Sequence, residues 1–487
     1  MNKLSVTTMA IALLGSATLV NAQASFEDML DLFEAGAKAE GAVVEFSERT
    51  VSGDGSVEYR DLSITDPDGG VTFATDWLRG SPSADDDTTI TFTVADTISI
   101  TGDADGEPIN FEIRSDDLEI TTNAILAESH GDTDITVSFD ADSLVIEGGD
   151  PTSLVLREVM AEIEDLAFST IFSIVDQKAE GSLTTGVVSA VYDMSIDGQT
   201  QKVDQTSESM EIAFNFDIPA GEEEAIGFLD GSKNGTATFV SGKTTFDSSI
   251  EQDGMAFDYN GITEGGRGEI SMVDGTLTYD ITNGAIDLTV IPGGGAPFPP
   301  VEVAMSELVF KVLLPLNSAE KAETAIVDIL FADLAVGEGL WAMIDPGQTI
   351  PRDPANLAID LDANVQIDAL TAAMTGVDNP FEAAIIDNLN VNKILLSIGG
   401  AMLESDGAMT FDNSGPFPMP MGALNVALSG AQGLADKLVN LGLVDQMQVG
   451  MMMGMVMAFA KPDGDDKFVS EITFSEDGIF ANGQPIR

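Results

Sequence analysis

From Ile90 onward apolar side chains fall on alternate positions: Ile90, Phe92, Val94, Ile98 and Ile100, with Thr, Ser and Asp between them. Ile109, Phe111 and Ile113 repeat the pattern, as do Ile135, Val137 and Phe139. Alternation of this kind sends one row of side chains into a core and the other into water, which predicts half-buried strands of an antiparallel sheet. Further on, dipeptides that supply positive φ punctuate the chain at Asp253-Gly254, Asn260-Gly261, Gly265-Gly266, Asp274-Gly275 and Asn283-Gly284, and these read as hairpin turns. Strand-like alternation fills the gaps, for example Met255, Phe257 and Tyr259, then Leu277, Tyr279 and Ile281. The predicted fold is mainly β, a β-rich α+β chain. It is expected as an elongated antiparallel meander of hairpins, curved into a β-groove, with a few helices near the N-terminus of the exported chain and in the C-terminal half.

The exceptions to period two predict the helices. Phe26, Met29, Leu30, Phe33 and Ala37 share one face of a helix running to about Lys38. Between Ser153 and Asp176, Val155, Val159, Ile163 and Leu166 suit a helix, with a strand as the alternative because both neighbours are strands. Beyond Pro300, Leu308–Leu316 reads as strand, Ala319–Leu330 as helix and Asn356–Ile367 as strand. A helical stretch from Leu434 to Ala460 is expected to break near Gly442, and Asp477-Gly478 and Asn482-Gly483 predict two closing hairpins. The Gly/Pro-rich stretch Gly293–Pro300 is the one break in composition. It divides an acidic β-rich region, 25–292, from a C-terminal β-rich region, 301–487, that carries the Met-rich helix.

The first 24 residues have a different logic. Lys3 is followed by an apolar stretch, Met9–Val20, and then by small residues at Ala22 and Ala24. This is the pattern of a secretory signal peptide cleaved after Ala24, which places the product in the periplasm. The apolar stretch falls short of the roughly 20 residues that span a bilayer, and no later segment reads as a transmembrane helix.

Charge removes whole classes of function. The chain of 487 residues carries 82 Asp and Glu against 20 Lys and Arg, a formal net charge of -62. Nucleic-acid binding depends on basic side chains displacing counterions, so DNA and RNA are not expected partners, nor are anionic lipid surfaces. There is no Cys and one His, His130, so neither a disulfide, a thiolate centre nor a His-rich metal cage is expected. His130 lies in Glu-Ser-His-Gly-Asp, a turn-like cluster.

Several chemical motifs are incomplete. Gly242-Lys243-Thr244 ends like a phosphate-binding loop but lacks the upstream Gly, Ala237 standing in its place. Ser318-Ala-Glu-Lys321 matches Ser-x-x-Lys without the elements that accompany it in penicillin-interacting enzymes. Asp103-Ala-Asp-Gly-Glu107 and Asp463-Gly-Asp-Asp466 resemble fragments of calcium loops but do not fit the twelve-residue pattern, so weak calcium binding at most is expected. The most unusual composition is Met447, Met451, Met452, Met453, Met455 and Met457 followed by Phe459. Thioethers could hold copper(I), but no His or Cys accompanies them. Met447, Met451, Met452, Met455 and Phe459 are therefore read as a flexible buried face or as an adaptable apolar wall for a ligand such as lipid, with no metal and no cofactor.

The second half resembles a known family. The residues that carry the likeness are Gly339-Leu-Trp341-Ala-Met-Ile-Asp345-Pro346 and Ile350-Pro351-Arg352-Asp353-Pro354-Ala-Asn-Leu357, with Asp360 and Leu361. Gly430–Gly442, the helix ending Ala458-Phe459-Ala460 and the closing Asp477–Pro485, which contains Asn482-Gly483, complete it. Together, from about Val309 onward, they are similar to secreted bacterial proteins grouped as domain of unknown function 2125, a family with no activity to carry over. The hairpin runs and the closing element are also similar to AsmA-like envelope proteins, a resemblance that implies an elongated β-groove handling lipids. From the residues themselves, Pro351 and Pro354 hold an extended turn, Arg352 pairs with nearby acids, and Trp341 anchors a core beside them.

Three functions remain open. The first is a non-enzymatic periplasmic scaffold or carrier that holds lipid or packs on an envelope protein. The second is an acidic structural or adhesive protein that binds divalent cations. The third is an enzyme with an unrecognised acidic site, although no nucleophile with its base is visible.

Overall fold

The computed structural model describes residues 26–39, 41–67, 70–83, 88–104, 107–123, 134–150, 156–173, 175–196, 199–218, 227–252, 255–293, 299–368, 384–415 and 417–486. The leader, His130 and Asp253-Gly254 lie outside this set. Strand accounts for 66% and helix for 11% of the protein, and the strand pairings are antiparallel. The chain divides into two units, residues 1–218 with 239–259, and 219–238 with 260–487.

In the first unit α1 (Phe26–Ala39) buries Phe26, Leu30 and Ala37. Next, β1 (Val43–Glu45) and β2 (Glu48–Val51) both pair with β3 (Val57–Thr65), which pairs with β4 (Val71–Pro82). On the other edge of β4 lie β5 (Ile90–Val94) and β6 (Thr97–Ala104), end to end. They carry β7 (Glu107–Asp116) on β6 and β8 (Glu119–Thr122) on β5, and both of these pair with β9 (Asp134–Gly148). The long β10 (Leu156–Ser173) follows β9 and bears β11 (Lys178–Thr185) and β12 (Val188–Ile196). Then β13 (Gln199–Ser207) pairs with β12, and β14 (Met210–Asp217) with β11. After α2 (Gly227–Asp230), β15 (Gly235–Ser241) brings the chain back to this unit, β16 (Thr244–Gln252) pairs with β13, and β17 (Met255–Thr263) leaves it. The core sits where α1 covers the sheet: Phe26 and Leu30 pack with Val57, Tyr59, Ile90 and Phe92.

The second unit opens with the hairpin of β18 (Gly266–Val273) and β19 (Thr276–Asn283). Its turn, Asp274-Gly275, has φ of 50° and 74°, the paired positive values of a tight two-residue turn. Here β20 (Ile286–Pro292) pairs with β21 (Val301–Met305), β22 (Glu307–Pro315) with β19, and β23 (Glu323–Val336) with β21 and β22. After α3 (Glu338–Ile344), a meander of β24 (Ala355–Gln366), β25 (Ile385–Ile398), β26 (Ala401–Asp412) and β27 (Met419–Ser429) follows, each strand paired with the one before it. The chain then forms α4 (Ala431–Asn440), α5 (Gln446–Phe459) and β28 (Lys461–Pro462). It ends with β29 (Lys467–Ser475) on β27, β30 (Gly478–Ala481) and β31 (Gln484–Pro485).

Both units keep their apolar residues on one face by the same device. Asp61, Asp117, Asp165 and Asp333, each followed by Leu, have φ of 47°, 53°, 48° and 54°. Asp tolerates this left-handed region because its short polar side chain can bond locally, and a residue placed there bends a strand as a bulge does. At these points the apolar row steps by three instead of two, from Tyr59 to Leu62, Ile163 to Leu166 and Phe331 to Leu334. One arrangement recurs in both units. Ser47 donates through Oγ to Asp61 Oδ2 at 2.5 Å and through N to Arg60 O at 2.9 Å; Ser306 donates to Asp333 Oδ2 and Ala332 O, both at 2.9 Å.

Four expectations need correction. Within the stretch Ser153–Asp176 the strand alternative holds: residues 156–173 form β10, not a helix. The step of three at Asp165 mimics the i, i+3 spacing of a helix. Ala319–Leu330 is not a helix either, since β23 begins at Glu323; apolar residues on both its faces, Val327 and Ile329 on one and Ile326 and Leu330 on the other, hide the period of two. Asn260-Gly261 lies inside β17, and Gly265-Gly266 and Asn283-Gly284 are not hairpin turns but junctions between strands that follow end to end. Finally, α3 forms at Trp341, where no helix was expected. The Gly293–Pro300 stretch joins β20 and β21, which pair directly within the second unit.

Candidate functional site

The register of the second unit places its apolar side chains in continuous rows across the strands. Ile281 faces Phe310, which faces Ile329, then Ile359, then Ile394. A second row runs Leu308, Phe331, Leu357, Leu396, Leu403 and Leu428. Directly opposed residues share a face, so both rows project from one side of the sheet. No member of either row is buried, and Phe310 and Leu396 are exposed. The face is buried at one end, where Leu316, Ala325, Val365 and Ile367 cluster, and again at Val391 opposite Leu361 and at Phe468, which continues the second row beyond Leu428.

The opposite face is mixed, with Val309, Leu313, Ile326, Leu330 and Leu395 flanking a charged row. Asp280, Lys311, Asp328, Asp360 and Lys393 oppose one another in turn, and Lys311 Nζ lies 2.7 Å from Asp280. Burial pushes the Asp328 carboxyl up, the facing Asp360 adds to this, and Lys311 opposes it. Asn392 donates to both Asp360 and Asp362, and Asn390 to Asp362. These hydrogen bonds satisfy carboxylates within the sheet itself.

The Met-rich helix α5 stands on the apolar side. It breaks from α4 beyond Gly442, as the glycine predicts, and Asp445 caps it by accepting from Met447 N at 2.7 Å. Its last carbonyl, Phe459 O, accepts from Ser470 Oγ at 2.7 Å and Asn482 Nδ2 at 3.0 Å. Ser470 faces Val426, whose neighbour across β26 is Ser405 and beyond it Ile394, so the anchor lies on the apolar face. Of the expected wall, Met447, Met451, Met452, Met455 and Phe459 all project outward, while Val449 is buried against the protein. They form an exposed ridge beside the sheet's apolar rows. Asn482-Gly483 makes the turn between β30 and β31, with φ of 50° and 79°, and so holds the end of α5.

Trp341, Asp345 and Arg352 do come together. Asp345 is fully buried: its carboxylate accepts from Ile350 N at 2.7 Å and Thr349 Oγ1 at 2.9 Å, and Arg352 lies 3.7 Å away. Burial acts to raise its pKa, but the hydrogen bonds from Ile350 and Thr349 and the Arg352 charge together hold it below the usual range. The Arg352 guanidinium stacks 4.3 Å over the Trp341 ring and donates to Asp345 O. Trp341 is half-buried under Arg352. Pro346, Pro351, Asp353 and Pro354 belong to the loop this clamp fixes, and Gly399 and Gly400 run beneath it, close to Ile350 and Pro351.

The incomplete motifs have structural uses. Ser318 is buried and donates to Pro315 O and Val365 O while accepting from Ile367 N, which leaves its hydroxyl committed. Asp466 accepts from Gln432 N and Gly433 N at the start of α4. Among the described residues no group of three or more His, Cys, Asp or Glu could hold a metal ion, and no helix is long and apolar enough to cross a membrane.

The apolar rows were missed as a site because each strand contributes only one or two residues to them. Their signal was the register, which alternation alone does not reveal. Neither a curated protein nor a solved structure matches the chain. Residues 247–485, which hold the apolar rows, the Arg352 clamp and the Met-rich helix, match the family described as an uncharacterized protein conserved in bacteria, domain of unknown function 2125.

Proposed function

We propose that this protein is a periplasmic, non-enzymatic carrier or scaffold of the cell envelope that holds an acyl chain or a similar apolar ligand on the exposed face of its second unit. The supporting observation is the row Ile281, Phe310, Ile329, Ile359 and Ile394, five neighbouring apolar side chains with none buried. An apolar patch of this extent on a protein surface marks a binding site, because its burial releases roughly 25 cal/mol per Å². The leader pattern at residues 1–24 supports export. Native mass spectrometry of protein released without detergent tests the reading. Adducts with the mass of a lipid or fatty acid are expected, and Ile359→Glu, which puts a carboxylate in the row, should remove them. Bare polypeptide masses for the wild type would overturn it.

A further inference from the structure

We propose that α5 seats the protein on a lipid bilayer, so that the bilayer is the source or destination of the apolar ligand; this rests on the acyl-carrier reading above. From Gln446 to Ala460 there is no charged residue, in a chain that carries 82 acids. Met447, Met451 and Met457 are 76%, 64% and 61% exposed, and Met452, Met455 and Phe459 are exposed beside them. At about 100° per residue these six span roughly 220° of the helix circumference. Val449, Met453 and Val456 occupy the remaining sector, facing the protein. A helix that docks in a protein groove presents a stripe of anchors and keeps a polar back. Here the free sides are uncharged and, apart from Gln446 and Gln448 in the first turn, apolar, which suits hydrocarbon.

Length and charge define how it would sit. Fourteen residues extend about 21 Å, short of the roughly 30 Å hydrocarbon core, so α5 enters the boundary of one leaflet without crossing. Its ends are flanked by Asp445 on one side and by Lys461, Asp463 and Asp465 on the other, a net negative surround that anionic headgroups would repel, so the matching surface is zwitterionic. The Phe459 carbonyl is held by Ser470, on the same face as the apolar rows. The helix therefore brings that face to the membrane.

Flotation of the chain from Ser25 onward with phosphatidylcholine vesicles is the test. The wild type should float, and less so with phosphatidylglycerol vesicles at low salt. Met451→Gln with Met455→Gln should reduce the floated fraction at least tenfold while the adducts in native mass spectrometry persist. The Leu pair at the same positions should float like the wild type. If the Gln pair misfolds by circular dichroism, Met447→Gln with Met457→Gln carries the same expectation. Wild-type protein that stays at the bottom, or a folded Gln variant that floats undiminished, would overturn the proposal while leaving the adduct result intact. So would light scattering that shows a dimer dissolved by the Gln pair without vesicle binding, which would assign the ridge to a second copy.

Discussion

In the first unit α1 lays Phe26 and Leu30 over the opening strands, and Val57 and Ile90 beneath it are fully buried. In the second unit an apolar face runs through β19 and β22–β25 with no helix laid over it among the described residues; Val391 is buried, but the Ile and Phe side chains of its rows remain half-exposed or exposed. The strands obey the same rules in both places: alternation, antiparallel pairing and bends at Asp-Leu. What differs is the element that follows or precedes them. A helix with a polar back, rich in Glu and Asp and tied down by the Arg49–Asp31 ion pair and the 2.7 Å bond from Tyr59 to Glu34, closes the first face. The helix beside the second face has no charged back, only Gln446 and Gln448 among exposed Met side chains, and leaves that face open. A covered face contributes stability; an uncovered one is available for a ligand.

The sharpest contrast is in truncation. Ile90→Ala should cost about 2–5 kcal/mol, the range for a fully buried aliphatic, whereas Ile359→Ala should cost about 1 kcal/mol because water already reaches its site. Urea unfolding of the two variants measures the gap, and equal losses would mean that the second face is covered after all.

The next largest effect belongs to Asp345. Its carboxyl is held below the usual range in the folded state, so its contribution is complete above the ordinary aspartate pKa and disappears as pH falls through the lowered folded value. Stability should therefore drop on acidification below about pH 4, the ordinary aspartate range. In Asp345→Asn that part of the acid dependence should vanish, alongside a lower stability at pH 7. Denaturant titrations from pH 7 to 3 separate the two.

A smaller change is expected at the bends. Asp333→Ala places a Cβ-bearing residue without a local acceptor at φ 54°, and should cost about 1–2 kcal/mol, while Asp333→Gly should be better tolerated. Asp61→Ala should behave alike, because Ser47 repeats the Ser306 contacts. Divergence between the two sites, measured by thermal unfolding, would show that the units do not share the device.

These bends also explain what could be read in advance. Alternation at Ile90–Ile100 and Ile109–Ile113, the amphipathic α1 and the break at Gly442 were legible because each signal is local. The β10 strand was not, since the bend at Asp165 converts period two into a spacing of three and four around Ile163 and Leu166. The Ser318 motif, incomplete as a catalytic pattern in the sequence, has a structural use that only the fold reveals: its hydroxyl serves three backbone groups. The apolar rows were hidden for a different reason: they join residues from strands scattered over more than a hundred positions, and only cross-strand register assembles them.

The smallest effect is expected at the ridge itself. Met452→Leu with Met455→Leu conserves volume and apolarity at exposed sites and should change stability by less than about 1.5 kcal/mol, with ligand adducts retained. A larger loss would mean that these side chains pack against something in the folded protein.

The openness of the second face can be measured at single-residue resolution. A photo-crosslinking amino acid at position 359, on the apolar face, is compared in cells with the same group at position 360, which points to the opposite face. Lipid-mass adducts at 359 and none at 360 are predicted. Equal yields at both positions, or protein crosslinks alone at 359, would contradict the account of an apolar face kept open for a lipid-like ligand.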